Sequence, residues 1–338
     1  MTRILKNRIT LITISLLVGI AVGLFFNKLS LHKENQPTYY NLKRLFPDNT
    51  HLVNPLISVD NAEGGDTKLE SIKYSIIDYV NKCKNKGYAA NISVYLRDLN
   101  KGTWIGIDAD RNFTAASLLK VPLLIGYLKL AEQDPSVLNR EIKYEIEING
   151  IPQNIVPENG AQLGKTYTID ELLRYMIAYS DNVSTTLLSD NIDAKFISNM
   201  YLALQISAPD PEQLKEYPVS ARIFATFFRV LYNATYLNPD YSQKAMKLLT
   251  ETDFGDGIVA GVPENIPVAH KFGERRYESK NYSLEAVQLH DCGIVYHPKS
   301  PYLICIMTEG RDFNSLKDII KDISRITYEH ENRAMDLL

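Results

Sequence analysis

The stretch Ala115-Ala116-Ser117-Leu118-Leu119-Lys120, followed by Val121-Pro122-Leu123-Leu124-Ile125, decides how this chain is read. Its residues after Ser117 are apolar on every side, the pattern of a helix in the middle of a domain. Proline is tolerated only in the first turn of such a helix, where its missing N–H has no partner to lose. Ser117 is therefore placed at the helix start, where free backbone N–H groups can hold a developing oxyanion. Ser117 and Lys120 are three residues apart and share a helical face. A lysine whose pKa is lowered by burial or by a neighbouring positive charge can take the serine proton. Serine at that position is equally suited to cap the helix. The same spacing recurs in Ser30-Leu31-His32-Lys33, which opens no apolar helix. The rest of the chain has to decide between nucleophile and cap.

The 338 residues carry a net charge of −3 with both signs mixed along the chain. No basic stripe with interleaved aromatics is present, so no nucleic-acid partner is expected. Arg3, Lys6 and Arg8 precede an uncharged run from Ile9 to Phe26, near the lower length limit for crossing a bilayer. No small-x-small cleavage site follows. Residues 1–28 are read as a membrane anchor with its basic end in the cytoplasm, which places the remainder outside the cytoplasm; the alternative is a cleaved signal and a secreted protein. Residues 29–66 are polar and read as an extracytoplasmic linker with some local order around Tyr39–Leu45. Cys83, Cys292 and Cys305 are an odd set, so at least one thiol is free. Cys292 and Cys305 lie in two strand-like runs joined by a turn, where a bridge is geometrically open to them. No Cys/His cluster has metal-binding spacing, and neither metal nor cofactor is expected.

From residue 67 onward the hydrophobic period organises one domain, 67–338. Leu69, Ile72, Ile76, Ile77 and Val80 recur at helical spacing. Asn91–Leu99 and Thr103–Ile107 alternate as two strands about the turn Asn100-Lys101-Gly102. The buried helix runs from Ser117 to about Gln133. Thr168-Ile169-Asp170-Glu171 forms a capping box before a helix over Leu172–Ala178. Further helical runs follow at Val183–Leu188, Ala194–Leu204, Ala221–Leu231 and Gln243–Leu249. The period then returns to strands at Val268–Phe272, Glu285–Tyr296 and Tyr302–Thr308, and the chain closes with a helix from about Phe313 to Tyr328. Two early strands and three late ones predict a five-stranded antiparallel sheet flanked by the terminal helices. An all-helical subdomain, about 110–255, is inserted into this α+β layout.

Two more short patterns join the first. Ser180-Asp181-Asn182 sits where one helix ends and the next begins, a turn able to present short polar side chains to a cleft or simply to cap a helix. Its copy, Ser189-Asp190-Asn191, follows a shorter helix and is read as a cap or turn. Lys271-Phe272-Gly273 is the only Lys-x-Gly and falls on the first late strand; glycine there allows close backbone approach. Ser-x-x-Lys, Ser-Asp-Asn and Lys-x-Gly thus occur in this order on helix start, interhelix turn and late strand. That combination resembles the penicillin-recognising serine hydrolase superfamily, and the class A β-lactamase-like branch within it. The resemblance covers roughly Lys68 to Tyr328, including Thr168–Leu188 and His290-Asp291-Cys292-Gly293-Ile294-Val295.

The resemblance implies a β-lactamase/D,D-peptidase-like fold and the following roles. Ser117 is acylated, and Lys120 is the base, kept partly neutral by Lys271. Ser180 passes a proton to the leaving nitrogen, and Asn182 holds substrate. Lys271 attracts a substrate carboxylate. The N–H groups of Ser117 and of Glu274, next to Gly273, form the oxyanion hole. The implied partner is a β-lactam or a peptidoglycan-like amide, and a monomer is expected. Two departures stand out. The family's hydroxyl residue between Lys and Gly, which binds the substrate carboxylate, is Phe272 here, with Arg275 and Arg276 the nearest cations to replace it. The Glu-x-x-Leu-Asn pattern that supplies the deacylating base is absent; Glu212 and Glu216 occupy that region with different neighbours. Acylation with slow deacylation is the expected outcome. A D,D-peptidase or esterase, and a non-catalytic wall-binding or sensor domain, are the alternatives.

Overall fold

The computed structural model describes residues 39–46, 51–62, 67–148, 153–157, 159–210, 216–278 and 285–333. The expected anchor, 1–28, lies outside the described residues, among which no helix is long and apolar enough to cross a membrane.

The stretch expected as a linker carries regular structure. Tyr39–Arg44 (β1) pairs with Leu56–Ala62 (β2). Arg44 fastens the pair to the rest of the domain. Its guanidinium donates to the backbone oxygen of Asn54 at 2.6 Å, to Asn233 Oδ1 at 2.9 Å and to the Leu99 oxygen, and lies 5.0 Å over the Tyr232 ring. The Asn54 N–H donates to the Tyr232 oxygen at 2.7 Å. This segment shows little hydrophobic period because polar bonds hold it; the order expected around Tyr39–Leu45 is β1, and the linker expectation is corrected at β2.

The main sheet uses the two early and three late strands. Thr67–Asn85 (α1) is followed by Asn91–Asp98 (β3) and Trp104–Ile107 (β4). Asp98 closes the turn between these strands by accepting from the Asn100 and Lys101 N–H groups, both at 2.8 Å, and Gly102 takes the positive φ of 74° that the turn requires. Asn112–Thr114 (β5) leads into the Ser117 turn and then Lys120–Gln133 (α2). Glu141–Lys143 (β6) pairs with Thr166–Thr168 (β7). Three helices follow: Ile169–Ala178 (α3), Asn182–Asp190 (α4) and Ala194–Ala203 (α5). Pro218–Ser220 (β8) pairs with β5. Ala221–Tyr232 (α6) and Pro239–Thr250 (α7) complete the insert, which therefore holds two short ribbons besides its helices. Val268–Glu278 (β9), Glu285–Val295 (β10), Tyr302–Gly310 (β11) and Phe313–Arg333 (α8) end the chain.

The sheet order is β4-β3-β11-β10-β9, with every pair antiparallel. Alternation by two sends Ile92, Val94, Leu96, Ile304 and Ile306 to the layer under α1 and α8. Tyr95, Leu303, Met307 and Ile294 go to the opposite layer with α2 and α6. Both faces are covered, which is why the central strands read as nearly continuous apolar runs. Cys292 and Cys305 are directly opposed on β10 and β11 and form a disulfide, leaving Cys83 free and buried. Thr168 and Glu171 make both halves of the capping box.

Arg44→Ala removes three hydrogen bonds from a largely buried guanidinium. We expect it to lower stability by about 2 kcal/mol in urea unfolding and to open residues 39–62 to limited proteolysis. A variant as stable and as resistant as the parent would show that the hairpin is not fastened in this way.

Candidate active site

Ser117 lies not in α2 itself but in the 3-10 turn Ala116–Leu119 that precedes it, and Lys120 is the first residue of the α-helix. In a 3-10 turn residues i and i+3 eclipse, so the two side chains leave the backbone one above the other. Pro122 falls in the first turn of α2 and removes no helical bond. Ala116 is held at φ 48°. Non-glycine residues in that region cost about 1–3 kcal/mol and cluster at functional sites. Ser180 is another, with φ 55°. Its conformation is held by the Asp181 N–H donating to the Tyr175 oxygen at 3.2 Å, and its carbonyl accepts from Lys120 Nζ at 2.5 Å and from Gln153 Nε2 at 3.3 Å.

These turns and β9 converge. Lys120 Nζ donates to Ser180 Oγ at 3.1 Å and to Asn182 Oδ1 at 2.8 Å, in addition to the Ser180 carbonyl. Lys271 Nζ donates to the same Ser180 Oγ at 2.8 Å and to the Phe272 oxygen at 3.1 Å. Lys120, Ser180 and Lys271 are all buried, at 3%, 1% and 0% exposure. Asp181 caps α4, accepting from the Ser184 N–H at 2.9 Å and Oγ at 2.5 Å and from the Ala161 N–H at 3.2 Å. Burial lowers Lys120 to about 7, with the nearby charges of Asp181 and Glu274 opposing. Lys271 is held well below its ordinary value by burial first and by the charge of Lys120 second. Desolvation is the first cause at both lysines, and like charges that share one hydroxyl disfavour each other's protonation.

The Ser117 turn rests on β9 through Gly273. A Cβ at Gly273 would lie 3.0 Å from the Ala115 oxygen, 3.1 Å from Leu118 Cγ and 3.2 Å from the Leu118 nitrogen. The missing side chain therefore admits the Ser117 turn rather than only a substrate. Opposite Gly273, His290 ties strand to turn: its Nε2 donates to the Thr114 oxygen at 3.1 Å while Nδ1 accepts from the Thr308 N–H at 3.3 Å. Burial pushes this imidazole down to about 4, so it is neutral near pH 7.

Sequence reasoning missed the segment across the mouth of the site. Glu274 accepts from the Asn154 N–H at 2.6 Å and the Ile155 N–H at 3.3 Å, as well as from Asn154 Nδ2. Gln153 accepts from Asn182 Nδ2 at 3.3 Å. Glu274 thus contributes a carboxylate that pins this segment. Nothing in the run Gly150-Ile151-Pro152-Gln153-Asn154 distinguishes it from an ordinary loop; its partners lie far along the chain.

Residues 75–330 match the beta-lactamase enzyme family. The chain belongs to that family. It is 26% identical to the beta-lactamase VEB-1 of Pseudomonas aeruginosa over 75% of this chain and 88% of that one. It is 23% identical to a beta-lactamase of Streptomyces albus G over 71% and 80%. Among solved structures its fold is similar to a PBP-A mutant caught as an acyl-enzyme complex with penicillin G (TM-score 0.63, 21% identity, covering 78% of this chain and 97% of that one). A class A beta-lactamase from Mycobacterium abscessus is alike to the same degree (TM-score 0.63, 20% identity, covering 76% and 99%).

Within this beta-lactamase family fold, the departures found in the sequence acquire structural meaning. The Phe272 ring stacks on Phe254 at 4.3 Å and lies 4.1 Å from Lys271 Nζ, so it covers the ammonium and fills the apolar layer beneath. Arg275 donates to Thr114 Oγ1 at 2.7 Å and to Glu216 at 2.8 Å; Arg276 donates to Asn154 Oδ1 at 3.3 Å. Glu216 is exposed and engaged by Arg275, and Glu212 lies outside the described residues. In the second Ser-Asp-Asn copy, Asp190 ends α4 and Asn191 donates to the Leu187 oxygen at 2.9 Å, a helix stop as expected.

Gly273→Ala forces the Ser117 turn away from β9. We expect it to cost about 1–3 kcal/mol in unfolding experiments, as overpacking does. Unchanged stability would mean that the turn recedes freely.

Proposed function

We propose that this protein is a serine hydrolase that opens a β-lactam or related amide by forming an acyl-enzyme on Ser117, and that it releases the acyl group slowly. The observation that carries the reading is the convergence of Lys120 and Lys271 on Ser180 Oγ. Kinship with the beta-lactamases described above and the fold shared with PBP-A support it.

In its neutral form Lys120 keeps two of its three N–H donations, and the lone pair so freed takes the Ser117 hydroxyl proton as Oγ attacks the carbonyl carbon. The carbonyl oxygen becomes an oxyanion, which the N–H groups of Ser117 and Glu274 stabilise. Ser180 Oγ already accepts from two lysines, so its own hydrogen is the one left to donate. It passes that proton to the amide nitrogen and is reprotonated by the Lys120 ammonium, while the C–N bond breaks and the ester on Ser117 remains. Asn182 orients substrate beside Lys120. A substrate carboxylate arriving near Lys271 raises its pKa and draws a proton onto it. Hydrolysis of the ester needs a base for water. The engagement of Glu216 with Arg275 at the surface supports a slow second step. The D-alanyl end of a peptidoglycan stem is the related amide we assign. Domain 67–338 then acts as a monomer outside the cytoplasm, anchored to the cell membrane by residues 1–28.

Intact-mass measurements over time after adding penicillin test this directly. A persistent adduct of one penicillin is expected on the parent and none on Ser117→Ala; equal labelling of both would overturn the assignment of the nucleophile. The pH dependence follows from Lys120. Its base form prevails above about 7, so acylation should rise through that pH and fall about tenfold per unit below it. An acylation rate flat between pH 5 and 8 would remove Lys120 as the base.

A further inference from the structure

At the sheet edge opposite β9, a cavity of about 310 Å³ opens between β3, β4 and α6. Four strand spacings of roughly 4.8 Å separate the two edges, so this cavity is distinct from the Ser117 site. Arg222, Thr226 and Arg229 recur at helical spacing on one face of α6 and line it together with Arg97, Tyr95 and Trp104. Trp104 is 42% exposed and stacks on Tyr95 with ring centroids 5.6 Å apart.

The charges here are unbalanced. Arg222 is neutralised by Asp110, with its Nε donating at 2.6 Å. Arg97 donates only to the Tyr95 hydroxyl at 3.4 Å, and among the described residues neither it nor Arg229 is paired with a carboxylate. Arg229 is lowered from its ordinary value by burial and then by the charge of Arg97, so the two guanidiniums repel across the same wall. Half-buried like charges without a counter-ion are costly, and an anion entering between them relieves the cost. Guanidinium forks match phosphate and carboxylate oxygens in pairs. The exposed indole offers a flat apolar face to whatever carries the anion. The volume is at the lower end of cavities that take small molecules, about 300–1,000 Å³.

We propose that this cavity is a second binding site, for a small organic anion that joins a phosphate or carboxylate to a flat ring. The anion sits between Arg97 and Arg229, and the ring lies on Trp104. The site is independent of acyl transfer at Ser117.

Trp104 is the only tryptophan of the chain, so its fluorescence reports occupancy. The full chain is titrated with phenyl phosphate, benzoate and inorganic phosphate, by fluorescence and by calorimetry. Saturable binding of phenyl phosphate or benzoate is expected, tighter than that of inorganic phosphate and weakened by added salt. Arg97→Gln and Arg229→Gln should each weaken it at least about tenfold, the loss of one charge-assisted bond. Thr226→Glu, which places a carboxylate inside the cavity, should abolish it. All three variants should still acylate Ser117 at the parental rate, which shows that they fold. No saturable signal by either method, or an affinity unchanged in all three variants, overturns the proposal.

Discussion

Two lysine amines on one hydroxyl are the constraint on which the rest of this structure depends. Ser180 Oγ accepts from Lys120 and Lys271 within a space that excludes water. Like charges so placed disfavour each other's protonation, and burial disfavours both. The arrangement persists only if backbone and packing hold the three side chains together. Lys120 is fixed by the start of α2, Ser180 by a left-handed turn and Lys271 by the fourth residue pair of an antiparallel ladder from the β9 start. Burial lowers Lys120 to about 7, so its neutral amine is populated near neutral pH.

The energetic support comes from elsewhere in the molecule. Two apolar layers sandwich the sheet, and α2 is buried along its first nine residues. At about 25 cal/mol per Å² of apolar area, layers of this extent outweigh a few strained residues and buried charges. The buried pair His270–Asp291 adds directional control. Asp291 accepts from the Ile258 N–H at 2.8 Å and meets His270 Nδ1 at 2.8 Å. This fastens the 253–258 turn, and with it Phe254, beneath Phe272. Phe272 is therefore a packed part of the core beside Lys271.

Elements with a strong hydrophobic period were legible in the sequence: α1, the β3–β4 hairpin, α2 and the last two strands fall near their expected bounds, whereas β9 runs six residues past the expected end at Phe272, through the polar and partly exposed Glu274–Glu278. Their period reflects one or two buried faces, a property of local sequence. β5, β6, β7 and β8 were not legible. Each is three residues long, too short to show a period, and each exists because a distant partner supplies its hydrogen bonds. Local order was expected around Tyr39–Leu45, where β1 lies, but its partner β2 was not legible, since Arg44 anchors the pair through the Leu99 carbonyl and the Asn233 amide, contributed by other segments.

For the site, the sequence alone determined the residue types, their order and the local element each occupies. Ser-x-x-Lys at a helix start, Ser-Asp-Asn between helices and Lys-x-Gly on a strand follow from turn chemistry and periodicity. Only the tertiary structure decided that Lys120 is buried deeply enough for desolvation to lower it, that Gly273 makes room for the Ser117 turn, and that Glu274 holds Asn154 and Ile155 across the mouth. The physical reason is range. Period and capping depend on neighbours within a few residues, whereas desolvation, close approach and hydrogen bonding between segments more than a hundred residues apart depend on what the fold brings alongside.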